Sequence, residues 1–166
     1  GSSTHAAISA NGRFVTFTSA ATNLVSGLTV SGWQTYRHDR ESGTTILVST
    51  AEEGCGNKNS TNPSISGDGR FVAFLSASTN LTDGIAEDNT LTHVYLRDAA
   101  LGTTTLVSKT SGGLPGNFNS SSPRVSPCGR YLLFQNHGQS NLYPGDEKAD
   151  GNQAFIYDHL RNTLQP

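Results

Sequence analysis

Three segments of this chain repeat one another, and a repeat constrains a fold more than any other sequence feature. The first reads Ile8-Ser9-Ala10-Asn11-Gly12-Arg13-Phe14-Val15-Thr16-Phe17. The second is Ile65-Ser66-Gly67-Asp68-Gly69-Arg70-Phe71-Val72-Ala73-Phe74. The third is Val125-Ser126-Pro127-Cys128-Gly129-Arg130-Tyr131-Leu132-Leu133-Phe134. The match continues downstream. Ser19-Ala20-Ala21-Thr22-Asn23-Leu24 aligns with Ser76-Ala77-Ser78-Thr79-Asn80-Leu81, and the third copy keeps Ser140-Asn141-Leu142. Tyr36-Arg37-His38-Asp39, Tyr95-Leu96-Arg97-Asp98 and Phe155-Ile156-Tyr157-Asp158 follow. Gly43 and Gly102 come four residues after their Asp, and Asn162 holds that place in the third copy. Asn is the other residue that tolerates positive φ.

Each unit carries four short strand signals, a to d, and nothing in the chain reads as a helix. Strand a ends at Asn11-Gly12, Asp68-Gly69 or Cys128-Gly129. Such pairs predict a two-residue hairpin with positive φ at both central positions. Strand b follows the Arg and reads as a strand covered on both faces. Strand c ends at the Asp, whose carboxylate suits accepting turn N–H groups. Strand d is rich in Thr and reads as half-exposed. Gly contributes 18 of the 166 residues, as a chain with many tight turns requires.

The units predict one domain over residues 5–166, with blades at about 5–50, 61–109 and 121–166. Gly1-Ser2-Ser3 resembles the scar left on cutting an expression tag, so residues 1–4 are read as a remnant. The net charge of −2 excludes a nucleic-acid binder that works through a basic face. No apolar run is long enough for a membrane-spanning helix, so no membrane insertion is expected. Cys55 falls in a d–a loop and Cys128 in an a–b turn, at opposite ends of the strands. An internal disulfide is therefore not expected.

Four-stranded antiparallel units repeated along a chain are blades of a β-propeller. The pattern Ser66-Gly67-Asp68-Gly69-Arg70-Phe71-Val72-Ala73-Phe74, Ser76-Ala77-Ser78-Thr79-Asn80-Leu81, Val94-Tyr95-Leu96-Arg97-Asp98 and Gly102-Thr103-Thr104-Thr105-Leu106-Val107-Ser108 resembles the TolB-type, WD-like propeller repeats of bacterial proteins. The likeness covers nearly the whole chain and speaks to fold, since propellers host unrelated activities. Three blades leave two open faces, and propellers hold four to eight. The expected fold is therefore all-β, with three blades closing into a six-bladed ring as a homodimer, six being common in TolB-like propellers. A fragment of a longer propeller is the competing reading. The resemblance alone implies a periplasmic or extracellular location.

The resemblance also implies an acidic b–c loop suited to a hard cation. The first unit has Leu28, Val30 and Gln34 in those places, and in the second His93 stands where the last Asp would be. Asp146, Asp150 and Asn152 of the third could supply three oxygens toward a calcium ion, which needs six to eight. A solvated loop with local Asx turns is the plainer alternative, and no other cofactor is implied. Trp33 and Tyr36 lie at the first b–c loop and Tyr143 is the matching aromatic of the third. With His93 these are the candidate ligand or interface residues, and packing between blades is the alternative for each. Arg13, Arg70 and Arg130 follow the turn glycine in every unit and are assigned a structural role. They are expected to pair with the turn or with an Asp of an adjacent blade, among Asp39, Asp98 and Asp158. No nucleophile elbow or paired carboxylates stand out, so no catalytic residue is named. The expected function is a non-catalytic binding or scaffold module, taking a protein, peptide or glycan on its loop face or central channel. The alternative is a hydrolase or lyase working at the channel mouth. A His beside a Ser would favour it.

Overall fold

The turn after strand a shows how the repeat builds its blades. In the computed structural model, which describes residues 1–87, 90–143 and 151–166, Gly12 N–H bonds Ser9 O at 2.9 Å and Ser9 N–H bonds Phe14 O at 2.9 Å. Four residues therefore lie between the closing pair, and only the glycine has positive φ (71°, 76° and 76° at Gly12, Gly69 and Gly129). The expected two-residue hairpin is corrected. A serine side chain closes a longer turn instead: Phe71 N–H donates to Ser66 Oγ, and Ser66 Oγ–H to Asp68 Oδ1. Ser9 and Ser126 make the matching bonds to Phe14 and Tyr131.

The described residues hold twelve strands in three four-stranded antiparallel sheets. β1 (Ser3–Ile8), β2 (Phe14–Ser19), β3 (Gln34–Asp39) and β4 (Thr44–Leu47) form the first. β5 (Ser60–Ile65), β6 (Phe71–Ser76), β7 (His93–Asp98) and β8 (Thr103–Leu106) form the second. β9 (Ser120–Val125), β10 (Tyr131–Asn136), β11 (Gln153–Asp158) and β12 (Thr163–Gln165) form the third. Each is a meander of consecutive strands with one-to-one register between its two central strands. β1 starts at Ser3, inside the stretch read as a tag remnant, and pairs Ser3 with Ser19.

Arg13, Arg70 and Arg130 pair with Asp39, Asp98 and Asp158 at 2.7, 2.6 and 2.7 Å. Each partner is the strand-c Asp of the same blade, not of a neighbour, which corrects the alternative of an inter-blade pair. The reason is register: Phe14 faces Asp39, so the preceding Arg lies beside that carboxylate. The Arg guanidinium holds the pKa of each Asp below its ordinary value. The Asp also accepts the following turn N–H groups, as at Ala100 and Leu101. Asn162 stands at φ 52°, matching Gly43 and Gly102 at 71°.

Strands alternate their side chains between two faces. Face A carries the stacked pairs Phe17–Tyr36, Phe74–Tyr95 and Phe134–Phe155, with centroids 5.6–5.7 Å apart. Face B carries Phe14, Phe71 and Tyr131. The blades stack in chain order, face B of one against face A of the next. Phe71, Ala73, Leu75, Val94 and Leu96 meet Leu132, Phe134, Phe155 and Tyr157 in one cluster. Phe14 and Ala7 meet Val72, Phe74, Tyr95 and Leu106 in another. Every residue of β6 is buried, as expected for strand b, whereas β10 alternates exposed and buried. No other blade of this chain covers face B of blade 3, and there Tyr131, Leu133 and Ile156 are 42, 44 and 46 % exposed.

Candidate functional site

The inner strands β1, β5 and β9 share a break that the repeat alone did not reveal. Pairing slips between Thr4 and Ala7, between Thr61 and Ser64, and opposite Leu133 and Gln135. At each bulge a non-glycine residue adopts positive φ: His5 at 52°, Asn62 at 53° and Ser122 at 53°. Such conformations cost of order 1 kcal/mol or more each and cluster where function retains them. Bulges also re-aim side chains beside sites. The sequence did hold a signal: Pro63 and Pro123 interrupt strand a, and proline within a strand is confined to edges and bulges.

The three bulges converge. His5, Asn62 and Ser122 line one recess of about 270 Å³ with Pro63, Pro123 and Arg124. It offers an imidazole, an amide, a hydroxyl and a guanidinium on the inner side of the blades. The His5 ring is 2.9 Å from Thr4 Oγ1. This set both donates and accepts hydrogen bonds.

The candidate residues read from the sequence are scattered over all three blades. Tyr36 is fully buried, its hydroxyl donating to Ala21 O at 3.3 Å. His93 is fully buried on β7, where Gln34 and Gln153 begin the matching strands. Burial holds its imidazole down to about 4, so it is neutral in the folded chain. Neither side chain reaches the surface of this chain, because both are fully buried. Gln34, at the equivalent place of blade 1, ties loops to the blade: its amide donates to Ser31 O, Gly56 O and Lys58 O, and Ser49 donates to its oxygen. Trp33 is half-buried at a blade junction, its backbone N–H donating to Asn59 Oδ1 and its carbonyl accepting from Ser60 N–H. Thr92 repeats both bonds with Asn119 and Ser120. Tyr143 is 39 % exposed and borders a cleft of about 560 Å³ beside Lys109 and Thr110.

Of the calcium trio, Asp146 and Asp150 lie outside the described residues, and Asn152 is exposed just before β11. Among the described residues no three His, Cys, Asp or Glu side chains gather as a metal site. Cys55 and Cys128 are free thiols. One feature had no local sequence signal: His137 Nε2 lies 2.9 Å from Ser121 Oγ. The pair spans adjacent strands and exists only in blade 3, where blade 1 has Thr4 and Ala20 and blade 2 has Thr61 and Ala77.

No protein-family model and no curated protein matches the chain. Solved structures do. TolB from Acinetobacter baumannii superimposes with a TM-score of 0.56 at 16 % identity, over 99 % of this chain and 31 % of that one. The β-propeller domain of the Trilobed protease from Pyrococcus furiosus gives 0.62 at 13 % identity, over 99 % and 41 %. A prolyl endopeptidase gives 0.57 at 16 %, over 99 % and 21 %. The chain thus spans from about a fifth to two fifths of the length of these three chains. At these identities the likeness is one of fold: three four-stranded antiparallel sheets that resemble propeller blades.

Proposed function

We propose that the chain is a non-catalytic binding module whose ligand sits on the inner strands, over His5, Asn62, Ser122 and Arg124. The observation that supports this reading is the threefold bulge, which holds three non-glycine residues at positive φ around one recess. A fold that needed only the bend would be served better by glycine. The mixed donors and acceptors suit a peptide segment or a glycan, both of which present hydroxyl, amide and carbonyl groups. The test is titration of the isotope-labelled chain with a random hexapeptide pool and with soluble oligosaccharides. Amide shifts centred on residues 5, 62 and 122 are expected. Shifts confined to the cleft beside Tyr143, Lys109 and Thr110, or none, would contradict the assignment.

A second reading, hydrolysis at the channel mouth, draws on the Ser121–His137 contact. A nucleophile needs a base that a third group orients. Among the described residues no carboxylate bonds the His137 ring, so the binding reading is preferred. Covalent labelling of Ser121 by a fluorophosphonate would reverse that preference.

A further inference from the structure

The two ends of the blade stack complement each other. Within the chain every junction is made in the same way. The aromatic ring after the Arg of one blade lies on the turn glycine of the next. Phe14 covers Gly69, and Phe71 covers Gly129, so closely that a methyl group at either glycine would overlap the ring. Phe71 also meets His159, the residue after strand c of that next blade, at 4.8 Å.

Blade 3 carries the same ring, Tyr131, with no glycine beneath it. Blade 1 carries the same glycine, Gly12 at φ 71°, with no ring above it. Apart from Arg40 Nη1 at 4.0 Å, the space over Gly12 is open. Gly12 is half-buried, whereas Gly69 and Gly129 are buried. Around this knob and socket the sheet faces also match. Leu133 and Ile156 stand where Ala73 and Leu96 of blade 2 are covered by blade 3. Val15 and Phe17 are half-buried where Val72 and Phe74 are fully buried. An apolar sheet face of this kind on a free end is an association surface.

We propose that face B of blade 3 docks on face A of blade 1 in a second copy of this chain. Tyr131 then packs over Gly12 and against Arg40 of that copy, an aromatic ring meeting a guanidinium. Two such contacts close a twofold ring. Two chains are the number that fits, since six blades lie within the four to eight of known propellers and nine do not. One bond of the internal junctions is not repeated. Ala10 N–H donates to Gly67 O and Gly67 N–H to Pro127 O, but Pro127 has no N–H to pass on. The new junction therefore rests on its apolar contact.

The test is light scattering on the full chain and two variants. Leu133→Arg alters face B and Val15→Arg alters face A, both at positions already accessible to water. The wild type is expected near 35 kDa, twice the 17.5 kDa of one chain. Each variant alone is expected as a monomer. Mixing the two in equal amounts is expected to restore a dimer, because one junction in the mixed pair joins two intact faces. That recovery also shows that both variants are folded. A photo-crosslinking side chain at position 131 should join the peptide holding Gly12 or the one holding Arg40. A monomeric wild type overturns the proposal and leaves another blade of a longer polypeptide as the cover of this face. Open oligomers, a dimer indifferent to Val15→Arg, or crosslinks between two copies of β10 also overturn it.

Discussion

The junction between blades 1 and 2 and the junction between blades 2 and 3 share one backbone design and differ in filling. Between blades 2 and 3, face B presents Phe71, Ala73, Leu75, Val94 and Leu96 to a phenylalanine pair. Between blades 1 and 2, the matching places hold Phe14, Thr16, Thr18, Thr35 and Arg37. The hydroxyls of Thr16, Thr18 and Thr35 are buried without a hydrogen-bond partner, and so is Arg37 Nε. Arg37 is held over the Phe14 ring at 4.5 Å and donates to Gly69 O at 2.7 Å. Burying an unpaired hydroxyl costs about 1–3 kcal/mol. The turn hydrogen bonds and the aromatic-on-glycine contact thus position a blade whether or not the sheet faces are apolar. The filling decides how firmly it is held.

Removing a buried ring should separate the two junctions most widely. Phe134→Ala is expected to destabilise by about 3–5 kcal/mol. Phe14→Ala, at a half-buried site with polar neighbours, should cost clearly less when both are measured by urea denaturation. Equal losses would remove the distinction.

Blades 1 and 2 also differ where strand c begins, Gln34 against His93. Burial lowers the folded His93 to about 4 from an ordinary 6.5. The unfolded chain therefore binds the extra proton between these values. The contribution is fully present above pH 6.5 and is lost as pH falls toward 4, on the order of 3 kcal/mol in all. His93→Gln, which installs the residue of the other blades, should flatten the stability profile across that window. The Asp residues paired with Arg also have pKa values held below the ordinary carboxylate range, so their contribution is lost only at still lower pH.

Smaller effects sharpen the polar side. Thr16→Val and Thr18→Val replace orphaned hydroxyls with methyl groups and are expected to stabilise by about 1 kcal/mol each in thermal denaturation. Asn62→Gly should likewise stabilise slightly, by relieving the positive φ, while weakening ligand binding at the inner strands.

Features set within one repeat unit could be read from the chain. Asn162 at the glycine position and the turn-accepting Asp residues both depend on neighbours a few places away. Features set by depth or by contact between units were harder to see. His93, in line with Gln34 at the last place of the acidic-loop pattern, read as a candidate ligand residue, because its full burial is set by packing around the strand start and not by its neighbours in the chain. The bulge at His5 has no proline to mark it, unlike those at Asn62 and Ser122. The turn after strand a looked like a two-residue hairpin because its closing group is a serine side chain five residues before the one it caps. Ser121 and His137 meet only because β9 and β10 are adjacent.

Native-state hydrogen exchange, read peptide by peptide, tests the comparison most directly. Blade 1 is expected to open as a unit, with β2 and β3 exchanging at a lower free energy than β6, β7, β10 and β11. Equal protection of all three blades, or blade 3 opening before blade 1, would contradict the account.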